Sequence, residues 1–510
     1  MNSRSPQFFV TLIILLGTLL RVILAGTTGL GVDESYAAAI ARTFSLSYFD
    51  HPPLHFWIIG LTAHLTGSEN ALVLRLPFIG MFAATTWLMF CLGRQLFGEW
   101  AGVYAALLLN ISAVFSFSTG SWLLPDGPLM LLMLAAALLL AQLFFAPPAN
   151  SAGLLWPAFG LLAGLGMLAK YHAVFLLFGG LLFMLTTKEY RRLLLTGGPY
   201  LAAGTAALAF APVVLWNQEH HWLSFLFQSG RGAATGFYPL NLLGNIAGQA
   251  LWVLPWLWVP LAGTWLQGVL AGPGGNGANL MRRRQWFLCC LALGPIVLFT
   301  AASLWGAQGL FHWQAPGYLL AMPLLGRTAS VWLAKGSRIA RGWLISSVAA
   351  FLLLAAVLGS HTATGWLKQV EPQWFNAGDP TLEALAWQGL DGYLTRQGLA
   401  SRAQFVVATD WMEAGKIDYI LGGKLPVLCL SDEPHHFAFR HKPADLRGKN
   451  ALIIGRSPGV ANILPQYRPH FAAIEYVGTL PITRAGIPEF AVAVYYAKNF
   501  SGEFPLPYGQ

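Results

Sequence analysis

Asp33 and Glu34 follow the first long apolar run of the chain, Phe8 to Gly26, after a short connection. Membrane proteins rarely place two carboxylates at the mouth of a span without a use for them. One carboxylate at this depth can accept a proton from an attacking hydroxyl or amine, and a second can hydrogen-bond the nucleophile or hold a metal ion. A helix cap explains the pair equally well, because Asp33 precedes an apolar helical pattern and Glu34 is then an acid in the first turn.

More acidic residues occur at comparable places in the chain. Asp50 and His51 come directly before Pro52-Pro53, and Asp126 follows Pro125 at the start of a later apolar run. Asp50 and Asp126 are again reasonable helix caps. Asp33, Glu34, Asp50 and His51 lie on one loop, and three acids with a histidine favour a site. Asp50 and Asp126 are expected to be its acidic support.

Cations on the same side of the membrane are few. Lys170 falls between two closely spaced apolar runs, and Arg75 and Arg231 flank other runs. Lysines near span ends often snorkel to the interface, which is the structural alternative for Lys170. A phosphate carried on a lipid must be met by cations at this depth, and these three residues with His51 are the available ones.

The composition identifies the kind of molecule that must position these side chains. Of 510 residues, 56% are hydrophobic and 10% are charged, whereas soluble chains carry about 25% charged residues. The chain is therefore expected to be a polytopic α-helical membrane protein. Its net charge of +9 does not indicate nucleic acid, because the basic residues collect in short loops, as in Lys188 with Arg191 and Arg192.

Apolar runs long enough to cross a bilayer as helices predict roughly eleven spans. With basic loops inside, the acids lie outside, and an odd number of spans places the C-terminal part outside as well. We expect a multi-pass protein of the bacterial inner membrane whose active surface faces the periplasm. The predicted spans are 8–26, 72–94, 101–118, 128–146, 152–169, 173–187, 198–215, 243–266, 286–304, 318–334 and 343–360.

The pattern predicts two domains, a membrane part over 1–360 and a soluble α/β domain over 361–510. The first outer loop, about 27–71, has helical spacing in two places and is expected to carry two interfacial helices. In the tail, helices are predicted at 381–399 and 414–421. Short apolar runs ended by polar residues predict buried strands, at 404–409, 426–430, 451–455 and 490–496.

Taken in order, these segments resemble the GT-C superfamily of glycosyltransferases, of the type that groups protein O-mannosyltransferases with the bacterial aminoarabinose transferases of lipid A (glycosyltransferase family 39 type). Each motif alone is weak, and their order is what makes the resemblance specific. It covers most of the membrane part and does not extend in detail to the tail. The matching segments are 31–34, 50–54, 75–77, 125–129, 164–171, 212–222 and 312–318.

The resemblance implies an inverting transfer (EC 2.4 class) from a polyprenyl-phosphate-linked sugar at the outer face. Asp33 matches the family's catalytic acid, which binds or deprotonates the acceptor, and Glu34 completes the acidic pair. In the aminoarabinose transferase, a lysine contacts the donor phosphate, and the corresponding residue here is His51. Neutral imidazole is a weaker phosphate partner than lysine. Lys170 and Arg231 are therefore expected to supply the charge around the phosphate.

The resemblance also implies a divalent ion, Zn²⁺, Mn²⁺ or Mg²⁺, with Asp50, Asp126 and His221 as ligands. His221 lies in the outer segment Trp216 to Trp222. No spacing within that segment resembles a zinc signature. Interfacial hydrogen bonding is the alternative for its two histidines.

Two other functions are consistent with a polytopic protein of this kind. A transporter or flippase of a lipid-linked sugar would place ionisable residues near the bilayer midplane, often in repeated halves, whereas the acids here lie in outer loops. A ligase or polymerase would move whole oligosaccharides from a lipid diphosphate. The acceptor of a transferase is left open by the sequence, as a lipid, a glycan or a protein.

Overall fold

The structure, a computed structural model, describes residues 5–146, 152–231, 236–274, 279–306, 311–505 and 507–508. The chain divides into two compact units. The membrane unit comprises Met1–Ile23, Leu46–His55 and Arg75–Leu354. The C-terminal unit comprises Leu24–Ser45, Phe56–Leu74 and Ala355–Gln510.

Helices account for almost all regular structure up to the end of the last apolar run. Prolines and glycines in the connections separate the individual helices. In chain order they are α1 Pro6–Thr27, α2 Val32–Ala41, α3 Leu54–Thr66, α4 Ala71–Phe97, α5 Glu99–Asn110, α6 Thr119–Ser121, α7 Asp126–Phe145, α8 Ala152–Ala169, α9 Val174–Thr186, α10 Gly198–Glu219, α11 Leu223–Arg231, α12 Pro239–Val253, α13 Pro255–Ala271, α14 Leu280–Ala302, α15 Ala315–Ala334 and α16 Arg338–Thr364.

All eleven predicted spans lie on helices, but the number of crossings is only partly confirmed. Within the described residues, six helices are long and apolar enough to cross a membrane, and up to eight spans result if each of two bent helix pairs counts as one. The pair α12 and α13 bends by 112° where Pro255 supplies no backbone N–H. The protein is therefore a multi-span helical membrane protein, and eleven crossings stay a prediction.

Close packing of α8 on α10 depends on small residues. A Cβ atom on Gly160 would lie 2.1 Å from the carbonyl oxygen of Ala202, and one on Gly164 would lie 2.6 Å from that of Ala206. Because both positions are glycine, the two helix backbones can approach at these points. This contact fixes the end of α8, after which Lys170 follows, relative to α10.

The C-terminal unit contains a mixed sheet, which in the described part of the chain has five strands in the order β2-β1-β3-β5-β4. The strands β1, β2 and β3 pair in parallel, while β5 is antiparallel to both β3 and β4. The four predicted strands are present, and β4 was not predicted. The strands are β1 Phe405–Ala408, β2 Val427–Cys429, β3 Ala451–Arg456, β4 Phe471–Arg484 and β5 Ile487–Phe500.

Glycines interrupt the helix that was predicted over 381–399. The backbone of Gly389 and Gly398 adopts φ values of 90° and 64°, which glycine tolerates and which end a helix. Two short helices result, and a helix after β1 agrees with the predicted one at 414–421. The helices of the tail are α17 Trp366–Val370, α18 Leu390–Arg396, α19 Leu399–Arg402, α20 Trp411–Leu421 and α21 Gly459–Tyr467.

The first outer loop is shared between the two units. Its two predicted helices are present as α2 and α3, but Leu24–Ser45 and Phe56–Leu74 belong to the C-terminal unit while Leu46–His55 belongs to the membrane unit. The compact units thus differ from the predicted division into 1–360 and 361–510. As a result, Asp33 and Glu34 are in one unit, and Asp50 and His51 are in the other.

Candidate functional site

Asp126 and Lys170 form a buried ion pair in the membrane unit. The ammonium of Lys170 lies 3.0 and 3.1 Å from the two carboxylate oxygens of Asp126, and the two residues are 8% and 4% exposed. Asp126 is the first residue of α7, where the helix dipole favours an anion. Lys170 follows the last residue of α8 in an extended conformation, so the packing of α7 on α8 brings the charges together.

Helix α11 holds the segment that contains Asp50 and His51. The side-chain amide of Gln228 donates to the backbone carbonyl of Asp50, and the ring of Phe227 lies 4.7 Å from that of Phe49. Arg231 is the last residue of the same helix. One short helix therefore positions both an acidic segment and a cation.

The pKa values of His51 and His312 depend on burial and on the charges around them. Burial lowers the pKa of His51 to about 4; nearby Asp50 and Asp126 oppose this shift, and the charges of Lys170 and Arg231 add to it. His312 lies in the loop before α15, and its pKa is also lowered to about 4, first by burial and then by the same two cations. The two imidazoles are thus neutral at pH 7 and lie near Asp126, Lys170 and Arg231.

Aromatic rings line the surroundings of Arg231. Its guanidinium carbon lies 5.3 Å from the ring centre of Trp313 and 5.8 Å from that of Phe227. Trp313 lies in turn 5.4 Å from Phe299, on which His172 stacks at 4.6 Å. A cation beside such rings is attracted by the ring quadrupole.

Asp33 and Glu34 have different environments in the C-terminal unit. Both are in the first turn of α2, where the carboxylate of Glu34 accepts a hydrogen bond of 2.8 Å from the backbone N–H of Gly31, the N-cap residue. Glu34 is 3% exposed, whereas Asp33 is exposed. The hydrogen bond thus supports the capping alternative for Glu34.

Two predicted site residues remain, Arg75 and His221. Arg75 is in the first turns of α4 and is 2% exposed. His221 is exposed in the turn between α10 and α11, with a left-handed φ of 52°. Across the described residues no group of three His, Cys, Asp or Glu side chains could hold a metal ion, so Asp50, Asp126 and His221 are not brought together as a ligand set.

The sequence matches known proteins along much of its length. The family model of dolichyl-phosphate-mannose-protein mannosyltransferases matches residues 50–216. The chain is 25% identical to the lipid A galacturonosyltransferase RgtD of Rhizobium johnstonii, over 69% of this chain and 71% of that protein. It is also 25% identical to an undecaprenyl phosphate-alpha-4-amino-4-deoxy-L-arabinose arabinosyl transferase of Proteus mirabilis, over 61% of this chain and 56% of that protein.

The fold matches solved membrane transferases as well. ArnT of Cupriavidus metallidurans, solved with undecaprenyl phosphate, aligns over 96% of this chain and 98% of its own, with a TM-score of 0.62 and 13% identity. The oligosaccharyltransferase AglB of Archaeoglobus fulgidus, in complex with a peptide and a dolichol-phosphate, aligns over 98% and 75%, with a TM-score of 0.51 and 12% identity. These similarities support an enzyme of the glycosyltransferase class with the fold of ArnT and AglB. A flippase is disfavoured, because the named relatives are transferases.

Several residues near the predicted site residues were not predicted from the sequence. The ring of His55 lies 5.7 Å from that of His51, Gln228 donates to the backbone of Asp50, and the ring of Trp313 lies beside Arg231. His172 and His312 are likewise absent from the predicted site residues. The available signal was a polar residue within otherwise apolar segments, which by itself does not separate a site from a membrane interface.

Proposed function

We propose that this protein transfers a sugar from a polyprenyl-phosphate donor to an acceptor hydroxyl or amine at the periplasmic face of the bacterial inner membrane. The buried ion pair of Asp126 and Lys170, with Arg231 in the same unit, is the observation that carries the proposal. Support comes from the relatives, because one is named for an undecaprenyl-phosphate sugar and another for lipid A. Lipid A is therefore the acceptor to test first.

The donor phosphate is assigned to Lys170 and Arg231. An ammonium has three donors, and the two oxygens of Asp126 accept from it on one side, which leaves a direction for a phosphate oxygen. Arg231 adds a planar fork that suits a phosphate. His51 and His312 are neutral, so they contribute hydrogen bonds to the phosphate or to sugar hydroxyls and no charge.

Asp33 is assigned as the base that activates the acceptor. The acceptor oxygen or nitrogen forms a bond to the anomeric carbon while the bond from that carbon to the phosphate oxygen breaks. The bonding pair leaves with the polyprenyl phosphate, and the acceptor proton passes to the carboxylate of Asp33. Because the acceptor attacks opposite the leaving phosphate, the anomeric centre is inverted. The cations stabilise the charge that develops on the leaving phosphate.

No step in this mechanism requires a metal ion. The expected ligands Asp50, Asp126 and His221 do not form a three-ligand site among the described residues, and Asp126 is engaged with Lys170. The predicted requirement for a divalent ion is tested by measuring turnover after EDTA treatment, and again after separate additions of Zn²⁺, Mn²⁺ and Mg²⁺.

The decisive experiment uses the full chain purified in detergent. It is incubated with lipid A and with undecaprenyl-phosphate donors that carry 4-amino-4-deoxy-L-arabinose, galacturonic acid or mannose, and the products are identified by mass spectrometry. We expect a glycosylated acceptor and released undecaprenyl phosphate from one of the donors. A flippase gives no product, and a ligase turns over only a lipid diphosphate. Either result contradicts the proposal.

Mass spectrometry of envelope lipids and glycans from cells that lack this protein identifies the acceptor independently. A missing sugar on lipid A supports lipid A, and a missing sugar on a polysaccharide or a protein redirects the acceptor assignment. If cells that lack the protein have an unchanged envelope under conditions in which wild-type cells express it, a transfer at the periplasmic face is contradicted.

A further inference from the structure

Within the C-terminal unit, the tail packs against α2, the helix that carries Asp33, and helix α20 makes most of this contact. We infer that α20 positions α2 for the transfer reaction, and that Gly415 and Lys416 are positioning residues. The inference rests on the proposed role of Asp33. It assigns the C-terminal domain a task in catalysis, and it depends on contacts at the start, middle and end of α2.

The first contact is at the backbone just before α2. Lys416 is 2% exposed, and its ammonium donates to the carbonyl oxygen of Leu30, to that of Glu383 at 2.6 Å and to that of Leu385 at 3.0 Å. Leu30 directly precedes the capping glycine of α2. A buried ammonium needs its donors satisfied, so these three carbonyls fix one another's positions.

The second contact is in the middle of α2. A Cβ atom on Gly415 would lie 2.8 Å from both N and Cα of Tyr36, so the two helix backbones touch there. The ring of Tyr36 is surrounded by Trp411 at 5.4 Å and Phe437 at 5.8 Å. Its hydroxyl accepts a hydrogen bond of 3.0 Å from the backbone N–H of His436. Tyr36 therefore packs against the tail through its backbone, its ring and its hydroxyl.

The third contact is at the end of α2. Arg42, its C-cap residue, pairs with Asp418 of α20 and with Glu69 of the loop after α3. The opposite carboxylate oxygen of Asp418 lies 2.5 Å from Arg440. Asp418 is 1% exposed, and a buried carboxylate shared by two guanidiniums has little freedom to move.

Helix α20 is itself fixed on the sheet. Asp410 caps its first turn by accepting from the N–H of Glu413 at 2.8 Å. The carboxylate of Glu413 accepts from the hydroxyl of Thr409 at 2.7 Å and from the N–H of Arg456 at 2.9 Å. Because α20 connects the parallel strands β1 and β2, it transmits the position of the sheet to α2 and hence to Asp33.

The test uses Gly415→Ala, which adds one methyl group against the backbone of Tyr36 and changes no charge. Its matched control is Gly459→Ala, at a helical position of the same domain where a Cβ atom meets nothing within 4 Å. With the donor identified above, we expect kcat of Gly415→Ala to fall by about 10²-fold, since a displacement of about 1 Å costs that much. The affinity for undecaprenyl phosphate is expected to stay unchanged, and Gly459→Ala to behave as wild type.

Lys416→Met gives a second variant, because methionine is an unbranched side chain only one atom shorter and has no hydrogen-bond donors. We expect faster hydrogen–deuterium exchange in residues 29–36 in both variants. We also expect Gly415→Ala to cause no further loss of turnover when combined with Asp33→Asn, because it acts through Asp33.

Wild-type kcat and unchanged exchange in both variants overturn the inference, and so does a loss of undecaprenyl phosphate binding in parallel with turnover. The proposed function fails separately. If Asp33→Asn retains transfer, Asp33 is not the base, and the exchange measurement still decides whether α20 holds α2.

Discussion

At the scale of residues, Asp33 and Glu34 are neighbours with different environments. The sequence left a site and a helix cap open for both. The structure buries the carboxylate of Glu34 on the N–H of Gly31 and leaves that of Asp33 exposed. The hydrogen bond supports the helix cap for Glu34, while a catalytic role stays a prediction for Asp33, and substitutions can separate the two explanations.

Glu34→Gln keeps an oxygen that accepts from Gly31, so we expect it to retain transfer and stability. Glu34→Ala removes the acceptor and is expected to lower the free energy of unfolding by about 1 kcal/mol. Thermal unfolding in detergent, measured with turnover for both variants, provides the check. Loss of turnover in a stable Glu34→Gln protein would assign Glu34 a catalytic role after all.

Arg231→Gln removes a guanidinium that we assign to the donor phosphate. A hydrogen bond to a charged group contributes about 1.5–3 kcal/mol, so the affinity for undecaprenyl phosphate should fall roughly 10- to 100-fold. Arg338→Gln, at an exposed position in the first turn of α16, is the matched control. Calorimetric or fluorescence titration gives both values, and equal affinities for the two variants would exclude Arg231 from the phosphate site.

The neutral histidines predict a pH dependence of stability. Unfolded histidines take up protons near pH 6.5, whereas His51 and His312 in the folded protein do so only near pH 4. Between these values the unfolded chain binds more protons, so the free energy of unfolding falls as the pH falls through this window. We expect the double variant His51→Gln, His312→Gln to lose less of its free energy of unfolding over this pH window than the wild type.

Melting temperatures at intervals from pH 7 to pH 4 measure this difference. The control is His64→Gln at an exposed position, which should follow the wild-type curve. Parallel curves for the double variant and wild type would show that the two buried histidines do not take up protons differently on unfolding.

At the scale of elements, the sequence predicted the helices and four strands because their patterns are local. Apolar runs of span length and short buried strands such as β3 are recognisable without knowledge of neighbours. Strand β4, Phe471–Arg484, was missed because its side chains alternate irregularly between exposed and partly buried positions. Its place in the sheet depends on pairing with β5, which is not a local property.

The site was predictable in part for the same reason. Asp126 and Lys170 stood out as ionisable residues at span ends, but their ion pair depends on the packing of α7 on α8. The contribution of α11 was not predictable, because Gln228 and Phe227 have no unusual type or spacing. Contacts between distant elements also explain why the involvement of α20 with α2 could not be seen in the sequence.

At the scale of the whole molecule, the distribution of charge predicts an orientation in the membrane. The basic loops predict that Arg192 lies inside, and the predicted odd number of spans, eleven, predicts that the C-terminal domain lies outside. In intact cells treated with a membrane-impermeant maleimide, Lys449→Cys should be labelled and Arg192→Cys should not. Both positions are exposed, and the native cysteines are buried except Cys91, which is partly buried. The opposite pattern would place the domain in the cytoplasm.

The proposed transfer depends most on Asp33 as its base. The most direct measurement is turnover of Asp33→Asn in detergent with a purified undecaprenyl-phosphate sugar and its acceptor, together with its affinity for undecaprenyl phosphate. Asparagine keeps the size of the side chain and cannot take up the acceptor proton, so we predict a loss of transfer of at least about 10²-fold with unchanged affinity. Near-normal transfer by Asp33→Asn would contradict the mechanism.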